Sequence, residues 1–529
     1  MLLFLINKLN MMILKNCLLL LFASISLMGA AQNQKIQTSS KRPNVLIIFP
    51  DQLRRYSAGF WSEDKYKDLV IGKPDPVVTP NIDMLAKNGV VFTQAISNYP
   101  LCSPYRGMLL SGRYPEENGI WSNCHKTRDD SLRDDIETIT DLFYKSGYNT
   151  SYFGKCHYLK NEPLFDTKGN YVGSTEAPGG NYANNYDTYV PPGASRHNIE
   201  YFYQSLKDQH FNPNIYSSDP NAIKGKKDGE LYLPKIFSPK NEAATIVDYL
   251  RNNNKQRDEN KPFCMIWSLN PPHNPWNDKS TDMSMLHEYY DTDKFPKVDK
   301  KMVVRKNADL EVASYARHYF ANVTSTDKYI GVVLDELKTM GVLDNTIVIF
   351  SSDHGEMLGS HGKQGKNVIE MEAMAIPFIV HWPKGLRPGV NNLLMSVPDV
   401  LPTTMGLAGL EKNIPSEIQG TNFASLISDP NTNLVKKPEA VLLMLGNSRG
   451  VLSDRYTLCL RENKVYGKGN KIIESFIYDN KNDPYQMHKI SLNKNPKLSQ
   501  NLLNILGQKL KMANDPWYQE KKYSDMIPY

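Results

Sequence analysis

The sequence lacks the features that mark several large classes of protein. It has no low-complexity tract and no internal repeat, which argues against a disordered chain and against a solenoid. The formal net charge is only +6 and the basic residues form no stripe, so we expect no nucleic acid partner. What remains is an ordinary globular composition over 529 residues, enough for one large core and a smaller second domain.

Long hydrophobic runs are also missing, apart from one near the start of the chain. Two lysines precede an apolar run from Cys17 to Met28, and small residues follow it. That run is too short to cross a bilayer and has the layout of a signal peptide, so we expect residues 1–31 to be removed on export. Because Cys17 begins the run instead of ending it, we expect no lipid attachment there. The sequence therefore predicts a periplasmic or secreted protein without stable membrane insertion.

Cysteine is scarce, and its count is odd once the signal peptide is set aside. The remaining cysteines are Cys102, Cys124, Cys156, Cys264 and Cys459. An odd number in an exported protein means that one thiol is unpaired or has another role. Cys156 is expected either to pack or to form a disulfide with Cys124 or another thiol, and the spacing does not decide between the two.

Apolar, β-branched runs alternate with helical patterns, which predicts an α/β fold with a large, mostly parallel sheet flanked by helices. Four runs lead into polar residues that could bind a ligand: 44–49 before Asp51, 148–153 before Lys155, 263–269 before His273, and 346–350 before Asp353. In open α/β sheets, ligands bind at the carboxyl ends of the strands. We therefore expect these four polar segments to meet at one edge of the sheet.

A change of pattern near residue 430 predicts a second domain. We place the larger α/β domain at residues 40–430 and a smaller α+β subdomain at residues 431–529. Strand-like segments at 440–444, 456–460 and 474–478 and an amphipathic helix at about 498–512 predict a small antiparallel sheet with one helix in the subdomain. In the larger domain, residues 310–340 have helical spacing.

The segment Cys102-Ser103-Pro104-Tyr105-Arg106 carries the strongest chemical signal, with the pattern Cys-x-Pro-x-Arg. A helix that begins near Cys102 would place Arg106 one turn further along the same face. A nucleophile at the start of a helix lies in the positive field of the helix dipole, which suits an anionic substrate. The other interpretation is a buried structural cysteine with an unrelated arginine.

Taken together, these segments resemble the formylglycine-dependent (type I) sulfatases of the alkaline phosphatase superfamily. The matching segments are Arg42-Pro-Asn-Val-Leu-Ile-Ile, Thr79-Pro-Asn-Ile-Asp-Met-Leu-Ala, Cys102-Ser-Pro-Tyr-Arg, Gly154-Lys-Cys-His, Pro272-His-Asn-Pro, Ser352-Asp-His-Gly, Leu358-Gly-Ser-His-Gly with Gly365-Lys366, and Asn482-Asp-Pro-Tyr. They occur in the family's order and at its approximate spacing, from Arg42 to about His488. The resemblance implies an alkaline phosphatase-like fold, with residues 40–430 as the catalytic domain, and an activity that hydrolyses sulfate esters.

The resemblance also implies that a maturation enzyme oxidises Cys102 to formylglycine, which would account for the odd cysteine count. The hydrated aldehyde is a geminal diol: one hydroxyl attacks sulfur and the alcohol leaves, and deprotonation of the other then expels sulfate. The implied catalytic residues are Cys102, Arg106, Lys155, His157, His273 and Lys366. By likeness to the family, His157 is the base that drives sulfate release, and His273 protonates the leaving alcohol.

Substrate contacts follow from the same likeness. The implied substrate-binding residues are Lys155, His273, Lys366 and His125. Lys366 matches the lysine that holds a sulfate oxygen, with Lys363 as the alternative. Further candidate neighbours of the substrate, each of which could equally be structural, are Glu356, Asn123 and Arg113.

A bound Ca²⁺ is the implied cofactor, because carboxylate oxygens suit a hard divalent cation. The implied ligands are Asp51, Gln52, Cys102 as its formylglycine, Asp353 and His354. The family usually has two adjacent aspartates at the first ligand position, but here the first of them is replaced by Pro50. We expect the amide oxygen of Gln52, or a water molecule, to compensate.

The identity of the substrate is less constrained. Export and the 30 tyrosines favour a sulfated glycan. A looser likeness around residues 49–54 suggests sulfated galactose or N-acetylgalactosamine from mucin or glycosaminoglycan chains. Two alternatives stay open: a phosphodiesterase or phosphonate monoester hydrolase of the same superfamily, and a non-catalytic glycan-binding protein on the same scaffold. The complete set of cationic and nucleophilic residues argues against both.

Overall fold

The structure is a computed structural model, and it describes residues 42–125, 127–160, 187–206, 210–291, 315–464 and 471–529. Within these ranges, none of the helices combines the length and the apolar character that a membrane crossing requires. The predicted signal peptide lies outside the described residues, as does the start of the helix predicted at 310–340.

Two sheets organise the described residues. The strands are β1 (Asn44–Pro50), β2 (Val90–Ile96), β3 (Asn149–Gly154), β4 (Tyr201–Ser205), β5 (Ile215–Ser217), β6 (Phe263–Leu269), β7 (Thr346–Phe350), β8 (Ile379–His381), β9 (Gly389–Ser396), β10 (Ala440–Leu445), β11 (Ser448–Ser453), β12 (Tyr456–Lys464) and β13 (Lys471–Asp479). The first nine form one sheet in the order β5-β4-β3-β6-β1-β7-β8-β2-β9. In that sheet only β5 and β8 run antiparallel to their neighbours. The predicted mostly parallel sheet is confirmed.

Helices cover both faces of the large sheet, and the last two helices of the chain lie with the small sheet. They are α1 (Pro80–Lys87), α2 (Cys102–Ser111), α3 (Pro115–Asn118), α4 (Ile139–Lys145), α5 (Ser238–Leu250), α6 (Met283–Tyr289), α7 (Ala316–Thr339), α8 (Met371–Met374), α9 (Val400–Leu407), α10 (Ala424–Ser428), α11 (Pro496–Met512) and α12 (Pro516–Gln519). The alternation of side chains along β1 shows why both faces are covered: Val45 and Ile47 pack into one hydrophobic cluster, and Leu46 into the other. A strand that is apolar on both sides requires cover on both sides.

The C-terminal region is the antiparallel sheet β10-β11-β12-β13, with the helix α11 beside it, as predicted. The strand β11 was not predicted, because its sequence Ser-Arg-Gly-Val-Leu-Ser is short and mixes polar residues with a glycine. The described residues from Pro43 onward form one compact unit. The domain boundary near residue 430 stays a prediction.

The topology brings the expected ligand-bearing loops together. The four strands whose ends carry polar residues, β3, β6, β1 and β7, are neighbours in the middle of the sheet and are all parallel. Their carboxyl ends therefore lie at the same edge. The segment after β2 leads to α2, which begins at Cys102.

Candidate active site

Cys102 is the first residue of α2 and is completely buried. Its Sγ lies 3.4 Å from His354 Nε2 and 3.8 Å from Asp51 Oδ1. The helix start predicted for this segment is confirmed, and Arg106 follows one turn later. The sulfur thus lies beside two of the predicted metal ligands.

Four of the predicted metal ligands form one buried group. Asp51, Cys102, Asp353 and His354 each offer a ligand atom, and these atoms all lie within 4.8 Å of one another. The Nδ1 of His354 lies 3.0 Å from the carbonyl oxygen of Gly355, to which it can only donate, so in the neutral ring that a metal would require, Nε2 has the lone pair and faces the group. A histidine oriented in this way by a backbone carbonyl is typical of metal sites.

The charges within this group also suit a cation. Burial, and then the neighbouring Asp51, raise the pKa of Asp353 to about 6. Burial and the neighbouring Cys102 also raise the pKa of Asp51. The opposite effect is larger, because Lys155, His273 and Lys366 all lower that pKa, and it lies below its usual range. A divalent cation between two buried carboxylates would reduce the repulsion between them. The residues present therefore fit a metal such as Ca²⁺, although a histidine ligand is also compatible with softer metals.

Arg106 supports the two carboxylates from behind. Its Nη2 lies 3.2 Å from Asp51 Oδ2 and 3.5 Å from Asp353 Oδ2. Its Nη1 donates to the carbonyl oxygen of Lys155 at 2.8 Å, and also to the hydroxyl of Ser268 on β6. Because the guanidinium is fully buried among these partners, its position suits holding the carboxylates in place. Ser268 was not found from the sequence, since no motif marks it.

Lys155 directly follows β3 and is fully buried, with its Nζ donating to Asp51 Oδ2. Lys366 lies in the loop after β7, and its Nζ donates to the amide oxygen of Gln52. Burial would raise the pKa of the Cys102 thiol, but the charges of Lys155, Lys366 and His354 outweigh it and lower that pKa well below its usual value. The site is therefore prepared to stabilise an anion at the position of Cys102.

His157 has the arrangement of a proton acceptor. Its Nε2 lies 3.2 Å from the carbonyl oxygen of Cys124, so in the neutral ring Nε2 carries the hydrogen and Nδ1 has the lone pair. Burial lowers the pKa of His157, and the contact with Cys102 offsets this only in part. The backbone of His157 is held by Ser103, whose hydroxyl donates to its carbonyl oxygen at 2.6 Å. A buried, neutral imidazole beside Cys102 is suited to accept a proton.

His273 lies in the loop after β6 and is 4% exposed, and it is one of the residues that lower the pKa of Asp51. Its Nδ1 lies 2.7 Å from the carbonyl oxygen of Asn274, to which it donates. This contact fixes the ring, so that Nε2 is the atom through which His273 would pass a proton to a substrate.

Gln52 is held by several partners. Its side-chain amide donates to Glu356 and accepts from Lys366, and its backbone N–H donates to Asp353 Oδ1 at 2.9 Å. Its role as a metal ligand in compensation for Pro50 stays a prediction.

The remaining candidates lie around this centre. His125 is part of a surface turn, where its Nδ1 lies 3.0 Å from Thr127 Oγ1, and its role in substrate binding stays a prediction. The side chain of Asn123 accepts from the backbone N–H of Ser103 at 3.1 Å. Glu356 is fully buried.

All five cysteines after the predicted signal peptide are buried and free. Cys156 is therefore a packing residue, and of the two alternatives left by the sequence the disulfide is not formed. Burial raises its pKa well above the usual value, so it remains a thiol.

Comparison with known proteins identifies the family. Residues 43–410 match the family model described as Sulfatase, which covers more than half of the chain. The chain belongs to the sulfatase family. Residues 359–514 also match the C-terminal model of N-sulphoglucosamine sulphohydrolase, a range that spans the predicted domain boundary.

Relatives of this sulfatase match over nearly its whole length. An endo-4-O-sulfatase of Bacteroides thetaiotaomicron is 38% identical over 527 residues, covering 95% of this chain and 98% of the relative. An ulvan-active sulfatase of Formosa agariphila is 28% identical, covering 96% and 89%. A solved structure from work on the metabolism of multiple glycosaminoglycans by B. thetaiotaomicron has a TM-score of 0.81 at 38% identity, covering 92% of this chain and 100% of that one. The fold, the family and the sulfatase activity predicted from the sequence are thereby confirmed.

Proposed function

We propose that this sulfatase removes O-sulfate groups from a sulfated glycan, using a formylglycine formed from Cys102 beside a bound Ca²⁺. The observation that carries the proposal is the buried group of Asp51, Cys102, Asp353 and His354 at the start of a helix. Cationic side chains surround this group and would attract a sulfate ester. Export to the periplasm or the medium is part of the proposal and rests on the N-terminal sequence.

The position of each side chain suggests its role in the reaction. When present, formylglycine supplies a hydrated aldehyde as nucleophile, and the cation supplies positive charge beside it. His273 would give a proton to the sugar oxygen as its bond to sulfur breaks. His157 would accept the proton whose loss accompanies the release of sulfate. Lys155 and Lys366 stabilise the charge on the sulfate oxygens throughout.

The substrate class is proposed from the relatives together with the site. The name of the endo-4-O-sulfatase supports a sulfate at O4 of an internal residue, and the glycosaminoglycan context of the similar structure supports that polymer class. We propose a 4-O-sulfated N-acetylgalactosamine or galactose unit within a glycosaminoglycan chain.

A matched panel of substrates tests this assignment. We expect glycosaminoglycan oligosaccharides that differ only in sulfation at O4 or at O6 to be distinguished by at least about 100-fold in kcat/KM, in favour of O4. Released sulfate, measured by ion chromatography, gives the rates. Equal rates, or cleavage of the O6 ester alone, would contradict the O4 assignment. A phosphate diester run in parallel should react far more slowly, and the reverse order would favour the phosphodiesterase alternative.

The proposed conversion of Cys102 to formylglycine can be detected by counting thiols. Because the five cysteines are free, mature protein from a host with the maturation enzyme should show four thiols after denaturation, and protein from a host without it should show five. Titration with a thiol reagent in denaturant gives the count. Mass spectrometry of the peptide that contains Cys102 assigns the missing thiol. An unmodified Cys102 in active protein would overturn the formylglycine mechanism.

A further inference from the structure

Glu356 is the centre of a buried hydrogen-bond network beside the active site, although it belongs to neither the metal group nor the catalytic set. Its Oε1 accepts from the hydroxyl of Tyr315 at 2.5 Å, from the N–H of Leu358 at 3.0 Å and from the N–H of Gly365 at 2.9 Å. Its Oε2 accepts from the side-chain amide of Gln52. Since it is fully buried with both oxygens engaged, it is placed to organise protein groups and not to contact a sugar.

The network has a fixed direction of donors and acceptors. Two backbone N–H groups and an amide NH₂ can only donate, so the carboxylate of Glu356 acts as their acceptor. Gln52 must therefore turn its Nε2 toward Glu356, which leaves its Oε1 facing Lys366. An ammonium can only donate, and the Nζ of Lys366 does donate to that oxygen. The carboxylate at 356 thus sets the orientation that the amide presents to Lys366.

Gln52 has little other freedom. Its backbone N–H donates to Asp353, and its carbonyl oxygen accepts from the hydroxyl of Tyr319 at 2.8 Å. Its φ of 67° lies in the left-handed region, which is unusual for a residue with a side chain and persists only where the surroundings hold it. With the backbone held, the remaining alternative is a flip of the terminal amide.

Glu356 also holds the backbone next to Lys366. The N–H of Gly365, the residue before Lys366, donates to the same carboxylate. The N–H of Leu358, where the loop begins, does so as well. Glu356 therefore holds the loop backbone at Leu358 and at Gly365. Through Gln52 it also holds the ammonium group of Lys366.

We propose that Glu356 is the positioning residue for Lys366. It orients the Gln52 amide so that its oxygen receives the ammonium, and this keeps Lys366 directed at the sulfate. The inference rests on the proposed function, in which Lys366 stabilises a sulfate oxygen. It also explains why Gln52 follows Asp51 in this chain: an amide can accept from Lys366 and donate to Glu356 at once, which neither a carboxylate nor an ammonium group can do.

A Glu356→Gln substitution separates this role from simple packing. The oxygen of the new amide can still accept from Tyr315, Leu358 and Gly365, but its NH₂ group would face the NH₂ group of Gln52. We expect the Gln52 amide to flip in order to avoid this contact between two donors. Its NH₂ group would then face the ammonium of Lys366, and Lys366 would be displaced. We expect kcat/KM for the sulfated substrate to fall by about 10- to 100-fold, with the same division between kcat and KM as in Lys366→Ala.

A double-mutant cycle with Lys366→Ala is the decisive measurement. If Glu356 acts through Lys366, adding Glu356→Gln to Lys366→Ala should change kcat/KM by no more than about twofold. Tyr315→Phe is the matched control: it removes one hydrogen bond to the same carboxylate but leaves the face toward Gln52 unchanged, and it should retain activity within about twofold. Melting temperatures of all variants verify that they fold.

Each outcome is informative. Losses that multiply in the double variant, or wild-type activity in Glu356→Gln, would overturn the positioning role while leaving the proposed function in place. Wild-type activity in Lys366→Ala would instead remove the sulfate role of Lys366, and the inference with it. If Glu356→Gln does not fold, the same cycle with Glu356→Asp applies, because its shorter side chain moves the carboxylate away from the Gln52 amide: coupling to position 366 supports the proposal, and multiplied losses overturn it.

Discussion

Replacing Cys102 with alanine will reduce sulfate ester hydrolysis by at least about 10⁴-fold, because covalent catalysis loses its nucleophile. The surrounding residues can bind and polarise a sulfate ester, and the hydroxyl of the next residue, Ser103, is engaged by the carbonyl oxygen of His157. The expected phenotype is a folded protein that still binds the sulfated substrate. Initial rates with saturating oligosaccharide, together with a binding isotherm, measure the two properties separately.

Cys264 provides the matched control for that variant. It is also a free and fully buried cysteine, but it lies within β6 and not at the edge where the site forms. Cys264→Ala should lower the melting temperature slightly and keep kcat/KM within about twofold of the wild type. Comparable losses of activity in both variants would indicate that the loss in Cys102→Ala reflects damage to the fold, and would contradict the assigned role.

Asp51→Asn should produce the second-largest loss, about 10³-fold in kcat/KM. The substitution keeps the shape of the side chain but removes the charge that Lys155 and Arg106 both contact. Loss of that charge weakens the cation site and leaves a buried ammonium without its carboxylate, a change that is costly in a protein interior. We expect the metal content of the purified variant, measured by mass spectrometry, to fall together with activity.

Asp327→Asn is the corresponding control. Asp327 is also buried, and burial raises its pKa to about 7. Both of its oxygens accept from N–H groups, so the NH₂ of an asparagine would face a donor there and we expect a lower melting temperature. Its carboxylate accepts from the backbone at the start of α1, away from the metal group. Activity and metal content should both stay near those of the wild type. A fully active Asp51→Asn variant with normal metal content would contradict the ligand role of Asp51.

The sequence was most informative about the order of elements along the chain. Strand patterns followed by polar residues predicted that Asp51, Lys155, His273 and Asp353 would share one edge, and the adjacency of β3, β6, β1 and β7 confirms it. This succeeded because parallel strands place their carboxyl ends on the same side, whatever their order in the sheet. The helix start at Cys102 was also accessible, because it depends on the residues of one short segment.

Hydrogen bonds between residues far apart in the sequence could not be predicted from such patterns. Gln52 and Glu356 are 304 residues apart in sequence, and their hydrogen bond depends on the positions of two loops from different strands. Gln52 was therefore interpreted only as a replacement metal ligand, and Glu356 only as a neighbour of the substrate. Ser268 and Ser103 support Arg106 and His157, but a single serine in a strand or helix gives no pattern from which such a role can be predicted.

The burial of α2 has a consequence for how the active protein is made. All ten residues of this helix are inaccessible in the folded chain, including Cys102 at its first position. Under the proposed formylglycine mechanism, a maturation enzyme could reach this thiol only in a chain that has not yet folded. The order of events during biosynthesis would then decide the fate of each molecule. A chain that folds with its thiol intact would remain inactive for its lifetime, and later addition of the enzyme would not rescue it.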